Sequence, residues 1–384
     1  MSEAAKSQCW LGPETQVALV HDWMTGMRGG ERALETICEL FPAATRHVLL
    51  HVPGSVSPTI EAARIRTSFL QHLPGASRYY RQLLPLFPLA IEQFDLDDCD
   101  LIISTSHCAA KAVVPPGRAR HLSYCFTPMR YAWDQFTAYF GPDRVGARAS
   151  WFFRHAMRAM ARWDASTAGR VDQFVAISKY VATRIRRYYN RRASVVYPPV
   201  NTAFFRPDSD QVDRSALVVS ALVPYKRVDL AIRACARARV PLRVVGGGPD
   251  FDRLREMAGP SVEFLGTVSD EDVRKAYRQA GVVLLPGIED FGIAPVEAQA
   301  CGRPVVALAT GGACETVLDG TTGLLVEQPS EDAFAEAILR ALDTPFDPGI
   351  IREHALQFSP ERFQAALRDE VNALMSRSLQ RGAS

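Results

Sequence analysis

Short apolar runs rich in β-branched residues alternate with amphipathic helical patterns along nearly the whole chain of 384 residues. This alternation is typical of parallel sheets, because each parallel connection needs a crossover that a helix supplies. In the first half, the predicted strands are residues 17–20, 48–52, 101–104, 121–124 and 174–177. In the second half, they are residues 217–220, 242–245, 262–265, 282–285 and 305–308. We therefore predict an α/β protein with two parallel sheets.

Two consecutive prolines, Pro198 and Pro199, separate the two sets of strands. Proline lacks a backbone donor and restricts the residue before it, so this pair stiffens a crossover between domains. We predict two doubly wound domains, residues 1–197 and 198–357, with a cleft between them. Residues 358–384 are expected to form a helix that packs back toward the N-terminal domain. Its predicted apolar stripe consists of Phe363, Leu367, Val371 and Leu374.

The charge of the chain is unevenly distributed. The net charge is +2, but residues 1–200 carry 24 Lys and Arg against 16 Asp and Glu, and the remainder carries 20 against 26. Arg154, Arg158 and Arg162 recur at four-residue spacing beside several aromatic residues. Two interpretations are open for this segment. It is either an interfacial helix on an anionic membrane or an amphipathic helix packed on its own domain.

The eight cysteines form no Cys-x-x-Cys pair and show no metal-ligand spacing. They are expected to be reduced thiols in a cytoplasmic protein. The N-terminus has no apolar stretch typical of a signal peptide, and no apolar run approaches the ~18 residues that span a bilayer. We predict a cytoplasmic location, with peripheral contact at the inner face of the cell membrane as the open alternative.

The most informative motif follows the predicted strand at residues 282–285. Gly292 and Ile293 stand between this strand and the next helix, where backbone N–H groups bind anions. Glu289 and Glu297 flank the same turn. Carboxylates beside a phosphate-binding turn suit a ligand that also offers hydroxyl groups. The motif therefore indicates a sugar nucleotide.

Three further positions follow predicted strands. Gly29 and Gly30 follow the first strand, where the missing Cβ atoms let a phosphate or sugar approach, although a purely structural turn is the alternative. Lys226 follows the strand at residues 217–220 and is a suitable cation for a diphosphate, the alternative being a solvated surface lysine. His107 ends the run that begins at residue 101; it either packs in the core or contacts a ligand.

Five sequence blocks accompany the motif around Glu289: residues 21–31, 104–107, 124–134, 223–230 and 245–249. Together they resemble the retaining glycosyltransferases of family 4, in particular a bacterial mannosyltransferase-like branch. The resemblance runs from about residue 17 to residue 379. It implies the GT-B architecture, in which two Rossmann-like domains face a cleft. It also implies a nucleotide-sugar donor as substrate, with no cofactor and no bound metal.

The resemblance assigns roles by position. It implies that Glu289 and His107 face the transferred sugar as candidate catalytic residues and that Glu297 contacts the nucleotide ribose. The donor diphosphate would be bound by Lys226, Arg227, Gly29, Gly30, Gly292 and Ile293. Arg130 and Tyr131 would contact the acceptor.

Two positions depart from the family pattern. Ala221 stands where family members often carry Arg, and Phe126 stands where relatives often have His. The missing charge at Ala221 would have to come from Arg227 or another residue. A metal motif of a different glycosyltransferase architecture is formally matched by Asp95 and Asp97, but these residues belong to an acidic turn. We therefore predict that no metal is bound.

These observations predict a retaining glycosyltransferase that moves a hexose to a saccharide or lipid-linked saccharide acceptor in polysaccharide or glycoconjugate synthesis. The expected donor is GDP-mannose. The alternatives are a nucleotide-sugar epimerase of the same architecture and a non-catalytic sugar-nucleotide-binding protein. The expected partners are the donor and the acceptor, and no nucleic acid; peripheral contact with an anionic membrane is the open alternative.

Overall fold

The computed structural model of the chain describes residues 11–12, 14–208 and 211–382. Cys9 and the N-terminal residues that underlie the signal-peptide prediction lie outside the described residues; the seven cysteines within them carry free thiols. The chain divides into two compact units. Unit 1 comprises Met1–Tyr197 and Phe363–Ser384, and unit 2 comprises Pro198–Arg362.

The described part of unit 1 contains seven strands: Val17–His21 (β1), Thr45–Val48 (β2), Ile65–Thr67 (β3), Leu101–Ser106 (β4), Arg120–Cys125 (β5), Gln173–Ala176 (β6) and Ala193–Val195 (β7). They form one parallel sheet in the order β3-β2-β1-β4-β5-β6-β7. The strand order reverses between β1 and β4, where His21 pairs with Thr105. In open α/β sheets, ligands bind beyond the carboxyl ends of the strands at such a switch point.

Nine helices precede the boundary at Tyr197 among the described residues: Gly29–Leu40 (α1), Pro58–Glu61 (α2), Ala76–Tyr79 (α3), Phe87–Glu92 (α4), Arg130–Trp133 (α5), Phe136–Phe140 (α6), Pro142–Val145 (α7), Ala147–Ser166 (α8) and Lys179–Tyr189 (α9). Short 3₁₀ turns lie at Phe69–His72, Tyr80–Leu86, Ala110–Ala112 and Thr167–Arg170. The turn at Ala110–Ala112 follows β4 directly and therefore lies near the switch point.

Apart from residues 209–210, which are not described, unit 2 contains six strands: Ala216–Val219 (β8), Leu242–Val245 (β9), Val262–Gly266 (β10), Val282–Leu285 (β11), Val305–Leu308 (β12) and Gly323–Val326 (β13). Their parallel order is β10-β9-β8-β11-β12-β13, so the switch point lies between β8 and β11. The helices are Val228–Ala238 (α10), Phe251–Met257 (α11), Asp270–Gln279 (α12), Ile293–Ala300 (α13), Ala313–Thr316 (α14), Glu331–Asp343 (α15) and Pro348–Leu356 (α16). A 3₁₀ turn, Pro224–Lys226, follows β8.

The last helix, Pro360–Gly382 (α17), belongs to unit 1 from Phe363 onward. Its predicted stripe, Phe363, Leu367, Val371 and Leu374, is buried. The ring of Phe363 contacts that of Tyr124 on β5, with 5.4 Å between ring centroids. This contact places the helix against the core of unit 1.

The predicted α/β class with two Rossmann-like parallel sheets is confirmed. The central strands β1 and β11 are buried along their whole length, which explains their continuous apolar sequences. The predicted strand at residues 48–52 is wrong, because the strand in this region is β2, which ends at Val48. Beyond it, Leu50 accepts a hydrogen bond from Met24 outside the regular strands.

The strands β3, β7 and β13 were not predicted. Each lies at the edge of its sheet and has only three or four residues, so its apolar signal is weak. Among the described residues, no helix is long and apolar enough to cross a membrane.

Candidate functional site

Unit 1 collects buried charged residues at its switch point. We use the name β1/β4 edge for His21, which ends β1, Asp22, which follows it, and His107, which follows β4. Asp22 is completely buried, and its Oδ2 accepts hydrogen bonds from the backbone N–H groups of His107 (2.8 Å) and Cys108 (3.0 Å). Its Oδ1 accepts from Ala109 (2.6 Å) and Ala110 (2.7 Å). One carboxylate thus satisfies four consecutive backbone donors that β4 leaves unpaired at its end.

The imidazole of His107 is paired with the same carboxylate. Its Nδ1 lies 3.0 Å from Asp22 Oδ2, and its side chain is 34% exposed. The ring of Trp23 packs edge-on against it, with 4.6 Å between centroids. Burial opposes protonation of His107, but the charge and hydrogen bond of Asp22 outweigh it and raise the pKa of His107. The structure therefore favours a protonated imidazole at this edge.

The turn that carries Gly29 and Gly30 also carries a carboxylate. Helix α1 begins at Gly29, and Glu31 Oε2 accepts a hydrogen bond from the backbone N–H of Arg28 (3.2 Å). Burial raises the pKa of Glu31, but its hydrogen bond and charge interaction with His21 outweigh this and lower it. A phosphate at Gly29 and Gly30 would therefore share the first turn of α1 with an ionised Glu31.

The predicted acceptor residues begin helix α5. Arg130 lies close enough to His107 that its charge lowers the pKa of His107, against the effect of Asp22. The hydroxyl of Tyr131 contacts Cys108 Sγ at 2.7 Å, and burial raises the pKa of Tyr131 well above its usual value. Tyr131 therefore stays neutral and is tied to the segment that follows β4.

Unit 2 presents a pair of opposite charges at its switch point. Lys226 ends the 3₁₀ turn after β8, and its Nζ donates a hydrogen bond to Glu289 Oε1 in the loop after β11. Both side chains are mostly buried, with 17% and 14% of their surface exposed. We call these two residues the β8/β11 edge. Each of the two charged groups has the other as its partner, and a bound ligand could take the place of that partner.

Close backbone packing brings the two residues of the β8/β11 edge together. A Cβ atom on Gly287 would lie 2.5 Å from the carbonyl oxygen of Tyr225 and 2.7 Å from Lys226 Cα. Only glycine therefore allows the loop after β11 to pass this turn. The carbonyl of Glu289 accepts a hydrogen bond from the N–H of Gly312 (2.8 Å), which fixes the loop on its other side.

The helix that follows this loop begins where the sequence predicts. Gly292 is the N-cap of α13 with a φ of 94°, a conformation that disfavours other residues, and Ile293 is the first helical residue. Glu297 lies within α13 and is buried, and its Oε2 accepts a hydrogen bond from the hydroxyl of Tyr277 (3.0 Å). Tyr277 thus orients Glu297, a role that no sequence pattern revealed.

Arg227 follows Lys226 in the sequence, but its guanidinium group bonds a residue outside the β8/β11 edge. Its Nε donates to Asp229 Oδ1 (3.2 Å), and Asp229 also accepts from Arg233 (2.6 Å). Burial raises the pKa of Asp229, but the bond from Arg227 and that from Arg233 outweigh it and lower the pKa. Arg227 is therefore held by the first turn of α10, and the charge that Ala221 lacks is not supplied by this contact.

Helix α8 buries one face and exposes another. Its residues Met157 and Met160 pack in the core of unit 1, and Asp164 is completely buried. The side chains of Trp151 and Phe152 are 66% and 64% exposed. Exposed arginines accompany them at positions 148, 154, 158 and 162. Packing on its own domain and an exposed basic aromatic surface therefore coexist on this helix.

Asp164 is a buried charge that sequence reasoning missed. It forms an ion pair with buried Lys111 (3.0 Å) and accepts hydrogen bonds from Trp133 (2.7 Å) and Tyr189 (2.9 Å). It therefore links α8 to α5 and to the turn after β4. Asp22 was missed in the same way. Its position directly after a central strand at the switch point was the available signal.

The structure places the predicted site residues in both units. His107, Gly29, Gly30, Arg130 and Tyr131 belong to unit 1; Lys226, Arg227, Glu289, Gly292, Ile293 and Glu297 belong to unit 2. Asp95 and Asp97 lie in a turn in which the N–H of Asp97 donates to Asp95 Oδ1 (3.2 Å). Within residues 11–12, 14–208 and 211–382, no group of three or more His, Cys, Asp or Glu side chains could hold a metal ion.

A protein-family model matches most of unit 2. Residues 200–359 match the family model described as Glycosyl transferases group 1. This range contains the β8/β11 edge and helix α13. Residues 200–359 thus carry a glycosyl transferases group 1 domain.

The curated relatives that match this chain are named as glycosyltransferases or as a mannosyltransferase. A GDP-mannose-dependent alpha-(1-6)-phosphatidylinositol monomannoside mannosyltransferase of Mycolicibacterium smegmatis is 35% identical over 205 residues, which cover 45% of this chain and 54% of the relative. A D-inositol 3-phosphate glycosyltransferase of the same organism is 34% identical over 194 residues, or 44% of each chain. The chain spans about half the length of the curated relatives it matches.

Solved structures resemble nearly the whole chain. The crystal structure of HepE from Anabaena in complex with UDP has a TM-score of 0.71 at 18% identity, and covers 94% of this chain and 100% of that one. Sucrose-phosphate synthase from Thermosynechococcus elongatus has a TM-score of 0.62 at 20% identity, with 96% and 99% covered. At such identities the likeness shows the fold, which is that of the two-domain GT-B class.

Proposed function

We propose that this chain is a glycosyltransferase that moves a hexose from a nucleotide sugar to a saccharide or lipid-linked saccharide acceptor. The observation that carries this proposal is the pair of Lys226 and Glu289 at the switch point of unit 2, inside the range that matches the family model. A cation there can neutralise a leaving diphosphate, and a carboxylate can bind sugar hydroxyls.

The proposed transfer retains the configuration of the anomeric carbon. The bond between that carbon and the diphosphate oxygen breaks, a bond to the acceptor oxygen forms on the same face, and the acceptor proton passes to the departing diphosphate. No side-chain nucleophile is needed. The protein contributes orientation of the two substrates and stabilisation of the negative charge that develops on the diphosphate.

The proposed donor is GDP-mannose. Two observations support it: the sequence blocks that resemble the mannosyltransferase-like branch, and the GDP-mannose-dependent relative from M. smegmatis. The HepE structures contain UDP or UDP-glucose, so UDP-glucose is the competing donor to include in any test.

A donor panel tests the proposal directly. Purified protein is incubated with GDP-mannose, UDP-glucose or UDP-N-acetylglucosamine and a mixture of saccharide and lipid-linked acceptors, and the products are identified by mass spectrometry. Released GDP together with a mannosylated product supports the proposal, and an α-linkage by NMR supports retention. Turnover with none of the donors, in spite of nucleotide binding, would instead favour the non-catalytic binding protein.

Omission of the acceptor separates the transferase from the epimerase. An epimerase converts its donor without acceptor, so a change in the sugar of the recovered nucleotide sugar would overturn the proposed transfer. A transferase leaves the donor sugar unchanged under these conditions, apart from slow hydrolysis.

We also propose that the reaction needs no divalent cation. Lys226 and the N-terminus of α13 can together offset the charge of a diphosphate. Activity is therefore expected to persist in EDTA. Complete inactivation that Mg²⁺ or Mn²⁺ reverses would contradict this and return Asp95 and Asp97 to consideration.

We propose further that unit 1 contacts the anionic inner face of the cell membrane through α8. The exposed rings of Trp151 and Phe152 beside exposed arginines combine the apolar and cationic groups that interfacial helices use. Such contact would bring a lipid-linked acceptor to the enzyme.

A further inference from the structure

Asp22 differs from an ordinary buried carboxylate in the number and kind of its partners. Both oxygens are occupied by four consecutive backbone N–H groups of residues 107–110, at 2.6 to 3.0 Å, and Oδ2 also meets the Nδ1 of His107. A structural cap for the turn after β4 needs the backbone contacts only. The contact with the imidazole is additional, and it joins Asp22 to a candidate catalytic residue.

This contact determines which atom of His107 can face a ligand. Because Nδ1 is directed at Asp22, Nε2 is the ring nitrogen left for a ligand, and 34% of the side chain is exposed. Trp23 packs edge-on against the imidazole and limits its rotation. The carboxylate and the indole together hold His107 in one orientation.

The charges around His107 have opposite signs. Asp22 and Glu31 favour the protonated imidazole, and Arg130 on α5 opposes it. His21, the last residue of β1, lies 3.9 Å from Glu31 and hydrogen-bonds Thr105 on β4 (2.7 Å). Asp22 is the charge in direct contact with the ring, so it dominates the balance.

We propose that Asp22 is a positioning residue for the proposed glycosyl transfer: it holds His107 with Nδ1–H directed inward and Nε2–H presented to an oxygen of the sugar donor. This inference rests on the proposed function. Asp22 itself touches no substrate, because its side chain is fully enclosed and both its oxygens are occupied.

The decisive measurement is an NMR titration of the His107 imidazole in the full chain, without donor, in the parent and in Asp22→Asn. In the parent, His107 is expected to titrate above its usual range with Nδ1 protonated. In Asp22→Asn, the titration midpoint should fall by at least one pH unit. Equal midpoints in the two proteins would overturn the proposal.

A double-mutant cycle with His107→Gln then tests function. Asp22→Asn and His107→Gln are each expected to lower kcat/KM about ten- to a hundredfold, since each removes a hydrogen bond to a charged group. If Asp22 acts through His107, the double variant should be little worse than His107→Gln alone. If the losses in kcat/KM of the two single variants multiply in the double variant, the proposal is overturned, because Asp22 and His107 would then act independently.

Ile185→Ala is the matched control, since Ile185 is buried in α9 of unit 1 and is not among the residues that bond Asp22 or His107. It should lower the melting temperature without moving the titration of His107. If Asp22→Asn does not fold, the parent titration decides: a His107 with unprotonated Nδ1 and an ordinary midpoint overturns the proposal. Absence of transfer with every donor would instead refute the proposed function and leave the titration result intact.

Discussion

The two units share a parallel-sheet plan with one switch point each, but they place different chemistry there. At the β1/β4 edge, Asp22 and His21 are almost completely buried, and the carboxylate is locked by four backbone donors. At the β8/β11 edge, Lys226 and Glu289 hold each other and remain partly exposed. The carboxylate at the first edge is held by backbone donors, and the ion pair at the second edge can exchange its internal partner for a ligand.

The charged groups of the two units are expected to have different effects, one on stability and the other on turnover. Several buried groups of unit 1 have shifted pKa values, so they couple the stability of unit 1 to pH. Each partner of the mostly buried pair of Lys226 and Glu289 becomes available for electrostatic work once a ligand separates the two. Seven of the eight histidines lie in residues 1–197, whereas unit 2 has only His354. We therefore expect pH to act mainly on unit 1 and charge removal at Lys226 to act mainly on turnover.

The largest effect is expected from Lys226→Met. Removal of this cation leaves the leaving diphosphate without its proposed counter-charge, and the loss of one such group typically lowers kcat about 100- to 1,000-fold. Glu289→Ala should likewise lower kcat far more than nucleotide affinity. Steady-state kinetics with saturating donor and acceptor measure both. Lys275→Met, at an exposed position of α12, is the control, and full turnover by Lys226→Met would refute the proposed role.

The second effect is a selective loss of stability of unit 1 in mild acid. Burial lowers the pKa of His47 and of His121 to about 4. Because the unfolded chain binds these protons at the usual pKa of 6.5, unfolding becomes easier as pH falls from 6.5 to 4. Each shift corresponds to about 3 kcal/mol of unfolding free energy at most. The pKa of Asp22 is lowered to about 2, because its interactions with His107 outweigh burial. Asp22 therefore keeps its contribution to the free energy of unfolding throughout this pH range.

Tryptophan fluorescence can follow this transition selectively, because all five tryptophans lie in residues 1–197. Urea unfolding at pH 7 and pH 4.5, with hydrogen exchange as the probe of unit 2, should show that unit 1 loses more stability. His121→Asn should remove roughly half of this pH dependence. Earlier acid unfolding of unit 2 would contradict the comparison.

A smaller effect is expected from Glu297→Gln. Its carboxylate, held by Tyr277, is proposed to accept hydrogen bonds from the nucleotide ribose. Loss of a bond to a charged group should weaken nucleotide binding about ten- to a hundredfold and leave kcat at saturation nearly unchanged. Isothermal titration calorimetry with GDP measures this, and Tyr277→Phe should show a weaker form of the same change. An unchanged dissociation constant would argue against the assigned role.

The smallest effect per residue is expected on α8. If this helix docks on anionic lipid, Arg158→Glu should weaken binding by about 1 kcal/mol, and rising salt should weaken it in parallel. Reversal of Arg154, Arg158 and Arg162 together should release the protein from anionic vesicles without changing nucleotide binding. Sedimentation with anionic and neutral vesicles measures this. Equal behaviour of the parent protein with both would exclude the membrane contact.

Sequence reasoning succeeded where local signals were strong. The apolar runs of β9, β11 and β12 were predicted to the residue. It failed at β2, where Arg46 and His47 are polar yet buried. The Arg46 guanidinium bonds the carbonyl oxygens of Pro42 and Ala44. A hydrophobicity pattern cannot reveal a strand whose buried residues are polar.

The sequence by itself determined the α/β class, the positions of most central strands and the turn between β11 and α13, because burial and helix capping act on residues close together in the chain. Only the tertiary structure decided that Asp22 meets residues 107–110, that Lys226 meets Glu289 and that Tyr277 meets Glu297. These partners are separated by 85 to 88, 63 and 20 residues. They meet because parallel strands and helices distant in sequence bring their ends to one edge of a sheet.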